Sequence, residues 1–284
     1  MSMPFAEVIG DPITQSKSPV IHGFWLERLG IEGEYNRCHV TAGELHGYLD
    51  ERRADANWRG CNVTMPHKQA IIPFLDRVDA MAARIGAVNT VVCEDGALVG
   101  YNTDAPGFLE PLRREMAQTH LFRMARILGT GGAARAIVAA LADAGAVLVL
   151  AGRDPDKARA MLDALDPDGE HHAAPLSHFA EPTDFAFDDR EGCLDLVVNA
   201  SPLGMRGQPP LPFDFSHVPP RSICYDIVTV PLRTPFLEQA SQRGFRTIDG
   251  LSMLIGQADH AFRRFFGARP PRGEDDELRR RLTA

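Results

Sequence analysis

The sequence predicts an α/β protein of two domains with parallel-sheet architecture. Three observations lead there. Strand-like and helix-like apolar patterns alternate along the whole chain, which is the signature of βαβ units. The chain has 284 residues, 44% of them hydrophobic, enough for one large or two ordinary domains with real cores. A glycine turn at Gly129-Thr130-Gly131-Gly132 separates a strand-like run from an Ala-rich helical run, and a second series of elements begins near Pro106.

In the first series, Phe5 to Gly10 reads as a strand. Ser18 and Pro19 open a helix, Ser18 as N-cap and Pro19 at the first helical position, where its missing N–H is not needed. Ile21, Phe24, Trp25 and Leu29 give that helix an apolar stripe, and Gly30 stops it. Tyr35 to Val40 is strand-like. Thr41-Ala42-Gly43-Glu44 has the form of a capping box before Leu45, Tyr48 and Leu49. Trp58 to Thr64 is a third strand, with Pro66 at the start of a following helix. Val88 to Cys93 and Ala97 to Tyr101 read as a hairpin turned by Asp95-Gly96.

In the second series, Ala125 to Leu128, Val147 to Ala151, Leu194 to Asn199, Ile223 to Val228 and Phe245 to Ile248 read as strands. Ala133 to Ala144 is helical, and Leu251 to Phe266 is the last long helix. Gly169 to Arg190 is the least patterned stretch, a loop with short elements. The tail, with Glu274, Asp275, Asp276 and Glu277 ahead of Arg279-Arg280-Arg281, reads as a charge-balanced terminal helix.

Composition excludes several classes of function. The net charge is −8 and the basic residues are scattered outside the tail, which argues against nucleic acid as a partner. No apolar run reaches the ~18 residues of a membrane span, and the first ten residues lack the pattern of a signal peptide. The five cysteines, Cys38, Cys61, Cys93, Cys193 and Cys224, are odd in number, unclustered, and lie in or beside strand-like runs. They read as buried, reduced thiols of a cytoplasmic protein. No pair has zinc-ligand spacing, and His171-His172 reads as a solvated loop rather than a metal site, so no metal is expected.

Two segments carry candidate chemistry. Asn62-Val63-Thr64-Met65-Pro66-His67-Lys68 and Gly100-Tyr101-Asn102-Thr103-Asp104 each end at a strand exit in a charged side chain, and the signs are opposite. A Lys and an Asp meeting there form a proton-transfer pair, Lys supplying the proton and Asp holding it in place. Gly129-Thr130-Gly131-Gly132-Ala133-Ala134 fits the dinucleotide pattern G-x-G-x-x-G/A in its required strand–turn–helix context. The first Gly permits the tight turn, the second lets backbone N–H groups approach a pyrophosphate, and Ala134 allows close helix packing. At the end of the next strand, Arg153 stands where an NAD site places an acidic residue, and Lys157 follows one turn later. That pair suits a 2′-phosphate and favours NADP, with NAD left open by Asp154. Asp154-Pro155 is also a good helix cap, which would turn the carboxylate away from the phosphate.

With these motifs the chain resembles the shikimate dehydrogenase family over nearly its whole length. Gly10-Asp11-Pro12-Ile13, Ser16-Lys17-Ser18-Pro19 and His22 are similar to that family's carboxylate signature. Asn62 to Lys68, Gly86-Ala87-Val88-Asn89-Thr90, Asn102-Thr103-Asp104 and Gly129 to Ala133 match its further motifs in order. So do Val198 to Met205, Tyr225-Asp226 through Thr234-Pro235, and Asp249-Gly250-Leu251 through Gln257. The resemblance implies NADPH-dependent, reversible reduction of 3-dehydroshikimate to shikimate; a monomer or homodimer is expected, the sequence itself not fixing the oligomeric state. It implies Lys68 and Asp104 as the catalytic pair, and Ser16 and Ser18 on the substrate carboxylate. Asn62, Thr64, Asn89, Asp104 and Gln257 would bind ring hydroxyls. Gly129, Gly131, Gly132, Ala133, Arg153 and Lys157 would hold the cofactor, with Ile227 and Gly250 beside the nicotinamide.

The chain departs from the family at Thr229, where a substrate-binding Tyr is usual, and at Gly152 and Asp154 around the NADP-binding Arg. These departures keep open a quinate/shikimate dehydrogenase with mixed NAD and NADP use. A non-catalytic NADP-binding regulator is the second alternative, opposed by the intact Lys68 and Asp104. The expected organisation is a substrate domain of residues 1–104 completed by 250–284, and a Rossmann-type NADP domain of 105–249, with the active site in the cleft between them.

Overall fold

The computed structural model describes residues 3–187, 189 and 191–284, so of the loop expected over 169–190 only 188 and 190 lie outside the described residues. The chain divides into two compact units, Met1–Gly107 with Ile255–Ala284, and Phe108–Leu254.

The first unit contains β1 (Phe5–Gly10), α1 (Ser18–Leu29), β2 (Glu34–His39), α2 (Leu45–Ala54), β3 (Trp58–Val63), α3 (His67–Ala70), β4 (Arg77–Val78), α4 (Ala80–Ile85), β5 (Thr90–Glu94), β6 (Ala97–Tyr101) and most of α5 (Asp104–Leu109). Its sheet has the order β2-β1-β3-β5-β6-β4. β1 pairs in parallel with β2 and β3, but β5 runs antiparallel to both β3 and β6. The sheet is therefore mixed, not all parallel. The cause is the hairpin: Asp95 and Gly96 both adopt positive φ, 51° and 82°, as a tight two-residue turn requires. Successive residues along each strand face opposite sides. Ile9, Leu45, Leu49, Ile71, Val91 and Leu98 fill one face. Val8, Tyr35, Val92, Val99, Ala261 and Phe265 fill the other.

Details of α1 differ from expectation. Lys17, not Ser18, is the N-cap residue, and the Ser18 amide donates instead to the Ser16 hydroxyl at 3.3 Å. Leu29 is exposed, and Leu26 takes its place in the buried stripe. Gly30 ends the helix in the left-handed region, as expected.

The second unit contains α6 (Arg113–Met116), β7 (Phe122–Leu128), α7 (Gly132–Asp143), β8 (Val147–Gly152), α8 (Pro155–Leu165), β9 (His172–Pro175), β10 (Cys193–Asn199), β11 (Ile223–Asp226), α9 (Pro235–Gln242) and β12 (Arg246–Ile248). All pairs in its sheet are parallel, in the order β12-β11-β10-β7-β8-β9. From β7 the chain runs outward through β8 and β9, then returns to lay β10 on the other side. The topological switch point therefore lies at the carboxyl ends of β7 and β10, where ligands bind in such sheets. Two helices close the chain, α10 (Gly250–Phe266) and α11 (Asp275–Thr283), and the unit boundary falls within α10.

Two residue readings are corrected. His171 is buried, accepting from the Leu148 amide through Nδ1 and pairing with Asp166 through Nε2 at 3.0 Å, so it is a structural residue rather than a solvated one. All five cysteines are free thiols, but only Cys61 and Cys224 are buried, and Cys93 is exposed. Among the described residues no helix is long and apolar enough to cross a membrane.

Candidate active site

In the first unit the polar residues gather at strand ends. β1 is flanked by β2 and β3, so the loops leaving β1 and β3 open at that sheet's own switch point. The first loop carries Ser16, whose carbonyl accepts two hydrogen bonds from Arg37, at 3.0 and 2.6 Å. Ser18 follows as the buried first residue of α1. The second loop carries the half-buried Thr64 and leads into α3, which bears Lys68.

Asp104 arrives from a separate direction and its position has a local cause. Asn102 caps α5: its Oδ1 accepts from the amides of Asp104 and Ala105, at 3.0 and 3.4 Å. Its side-chain nitrogen donates to the Ala87 carbonyl, which ties the cap to the Gly86–Thr90 segment. That segment is fixed in turn by the Val88 amide, which donates to the Lys68 carbonyl at 2.7 Å. Lys68 Nζ donates to Asp104 Oδ2 at 2.5 Å, with side chains only 18% and 7% exposed. Asn89 donates to the other carboxylate oxygen at 2.9 Å and to Thr103 Oγ1 at 3.0 Å. A carboxylate held on both oxygens cannot swing away from the ammonium, so the pair is preorganised.

Asn62 and Asn89 are more deeply committed to the protein than their residue type suggests. Both hydrogens of the Asn62 amide are used, on Asn89 O and Thr90 Oγ1. Its Oδ1 accepts from Tyr35 at 2.6 Å and keeps one lone pair. Gln257 is buried on α10, close against α5: a Cβ at Gly107 would lie 2.4 Å from the Gln257 amide nitrogen. Nothing larger than glycine fits there.

The second unit holds a cavity of about 420 Å³ at its switch point. It is lined by Gly129 and Gly131 after β7, Gly152, Arg153 and Lys157 after β8, and Ala200 to Leu203 after β10. Gly129 has φ +127°, and a Cβ there would lie 2.7 Å from the Ala200 carbonyl group. A Cβ at Gly131 would meet nothing within 4 Å, so that face is open to a ligand. Gly132 and Ala133 form the first turn of α7, whose amide-rich end favours an anion. Arg153 and Lys157 are exposed cations on the rim. Asp154 caps α8, accepting from the Asp156 and Lys157 amides at 3.0 and 3.2 Å, and does not line the cavity. This donor set fits a dinucleotide bearing a 2′-phosphate.

Ile227, Thr229 and Gly250 also belong to this unit but lie outside the cavity lining. Gly250 is jammed against the chain after β11: a Cβ would lie 2.3 Å from Val228 O. Asp226 secures that turn by accepting from Asn199, Val228 and Thr234. Burial pushes its carboxyl above the ordinary range, against the pull of those hydrogen bonds. Thr130, Leu176 and Gln208 line the cavity without having been singled out from sequence. Tyr35 was missed as well, and its only sequence signal is as one more apolar residue in a strand.

Comparisons with known proteins bear on the family to which the chain belongs. Residues 8–91 match the model of the shikimate dehydrogenase substrate binding domain. A shikimate dehydrogenase (NADP(+)) of Sphingopyxis alaskensis is 51% identical, over 99% of this chain and 97% of the relative. The chain belongs to the shikimate dehydrogenase family. Among solved structures, shikimate 5-dehydrogenase of Thermus thermophilus, in complex with NADP(H) and shikimate, is similar with a TM-score of 0.83 and 36% identity, covering 99% of this chain and all of that one. The ligand-free 5-ketofructose reductase of a Gluconobacter strain matches with a TM-score of 0.83 at 27% identity, over 99% of this chain and 99% of that one. The family's fold thus carries more than one named substrate.

Proposed function

We propose that this chain is an NADP-dependent shikimate dehydrogenase, reversibly reducing 3-dehydroshikimate to shikimate. The observation that carries the reading is the Lys68–Asp104 pair, 2.5 Å apart, nearly buried, and held by Asn89 among residues suited to a polyhydroxylated acid.

Ser16 and Ser18, at the start of α1, bind the substrate carboxylate. Asn62, Thr64, Asn89 and Gln257 bind ring hydroxyls, Asn62 through the acceptor capacity left on its Oδ1. NADPH, when bound, would supply the hydride for the C3 carbonyl. Lys68 Nζ protonates the oxygen on which negative charge develops, and in the oxidative direction takes up the hydroxyl proton. Asp104 holds the ammonium in line and accepts from the neighbouring substrate hydroxyl. Gly129, Gly131, Gly132 and Ala133 receive the pyrophosphate, and Arg153 with Lys157 the 2′-phosphate. Ile227 and Gly250 flank the nicotinamide. A cytoplasmic monomer or homodimer is the setting we propose, and free thiols suit a reducing compartment.

Thr229 is the observation that favours a second reading, since it lacks the ring and reach of the family's Tyr. Steady-state assays with shikimate and quinate, each with NADP and NAD, test both. Highest kcat/KM for shikimate with NADP is expected. Comparable turnover of quinate identifies a mixed quinate/shikimate enzyme, and no turnover at all identifies a regulator.

A further inference from the structure

Two buried aromatic residues of the first unit have no part in the proton transfer above. His22, on α1, is fully buried, and neither ring nitrogen has a hydrogen-bond partner among the described residues. Its ring lies parallel to that of Tyr35, with centroids 4.0 Å apart and an interplanar angle of 4°. Phe265 crowds both rings, at 6.0 Å from His22 and 6.3 Å from Tyr35. Burial lowers the imidazole pKa to about 3, so His22 serves here as a neutral, flat packing surface. Tyr35, on β2, is thereby left with its ring fixed and its hydroxyl aimed in one direction.

That direction is Asn62. The Tyr35 hydroxyl donates to Asn62 Oδ1 at 2.6 Å and is its only donor among the described residues. The opposite end of the amide faces the Asn89 carbonyl, which can only accept, so the nitrogen must point there. Tyr35 completes the arrangement by meeting the oxygen. It locks the amide at both ends and leaves one lone pair for a ligand hydroxyl. The Ser18 hydroxyl is a second polar neighbour of the Tyr35 oxygen. One phenol therefore lies beside residues from both the carboxylate loop and the ring-hydroxyl cluster. Asn89, by contrast, is oriented independently by the Thr103 amide at 2.7 Å, so the influence of Tyr35 on the Lys68–Asp104 pair is small.

We propose that Tyr35, stacked on His22, is a positioning residue for substrate recognition, fixing the Asn62 amide in the orientation that accepts a ring hydroxyl of the substrate. This rests on the reading of Asn62 as a substrate-binding residue.

The test is a kinetic double-mutant cycle of Tyr35→Phe, Asn62→Ala and the pair. Phe keeps the ring and its stack and removes only the oxygen. Tyr35→Phe is expected to raise the KM for shikimate roughly 5-fold, the worth of one neutral hydrogen bond, with kcat and the KM for NADP within about twofold of the parent. The double variant should be no worse than Asn62→Ala, because both changes act through one amide. An unchanged shikimate KM in Tyr35→Phe, alongside a raised one in Asn62→Ala, overturns the role of Tyr35 alone. An unchanged shikimate KM in Asn62→Ala overturns the underlying reading of Asn62. Equal rises in both KM values with a lowered melting temperature, or effects that multiply in the double variant, show a structural role only and also overturn the proposal.

Discussion

The two sites of this chain are made from opposite materials. In the first unit the site is a network of side chains, Tyr35 to Asn62, Asn62 to Thr90, Thr90 to Asn89, Asn89 to Asp104, Asp104 to Lys68, with each link between 2.5 and 3.1 Å. In the second unit the site is mostly empty backbone. Gly129, Gly131 and Gly152 shape it by what they lack, and Arg153 and Lys157 add charge at the rim. The difference follows the chemistry each is suited to. Proton transfer needs a donor held within hydrogen-bond reach, which only oriented side chains provide. A pyrophosphate needs amide hydrogens and room. The first site is therefore vulnerable to loss of single atoms, and the second to added volume or lost charge.

The largest expected effect breaks the side-chain network at its end. Lys68→Met keeps bulk and removes the ammonium, and kcat should fall by about 10²–10⁴-fold while KM changes much less. Asp104→Asn should also lower kcat, and the double variant should lose less than the product of the two. Measured kcat near the parent value in Lys68→Met would reduce Lys68 to a binding residue.

The next effect belongs to the same unit and is read in stability. Buried His22 has its pKa lowered from 6.5 to about 3 in the fold, while the unfolded chain binds its proton normally. The unfolded state then holds more protons between these values, so stability is full above pH ~6.5 and lost as pH falls. At a pH of about 4.5 the loss is on the order of 3 kcal/mol, from two pH units below the unfolded value. Chemical denaturation at neutral pH and at that acid pH should show this loss largely abolished in His22→Phe. An acid loss of equal size in that variant would assign the effect to other groups.

The smallest effect sharpens the contrast from the cofactor side. Arg153→Ala should weaken NADP roughly 10- to 150-fold and NAD far less, by analogy with other charge-assisted phosphate contacts. Asp154→Ala, beside it, should lower stability by about 1 kcal/mol through the lost cap and leave the NADP/NAD ratio nearly unchanged. Binding titrations with both cofactors check the pair, and equal losses for the two cofactors in Arg153→Ala would remove the 2′-phosphate assignment.

Local signals in the chain were sufficient for whatever depends on neighbours in sequence. The Asp95-Gly96 turn, the Asp154-Pro155 cap, the Gly30 stop and the strand–glycine–helix unit at Gly129 are each set by backbone preferences of a few residues. Those same preferences determined the α/β class, and the ordered motifs marked Lys68 and Asp104. Tertiary structure alone decided the rest. β4, only two residues long, exists because β6 offers it a partner. The first sheet is mixed because one hairpin folds back beside β3. His171 is buried because β8 and Asp166 satisfy its nitrogens, and Asn62 is locked because a tyrosine distant in sequence reaches it. Such outcomes turn on the satisfaction of buried polar groups by partners far along the chain. Sequence spacing carries no record of those distances, so which polar residues are spent on the fold and which are left for a ligand is settled only when the chain is folded.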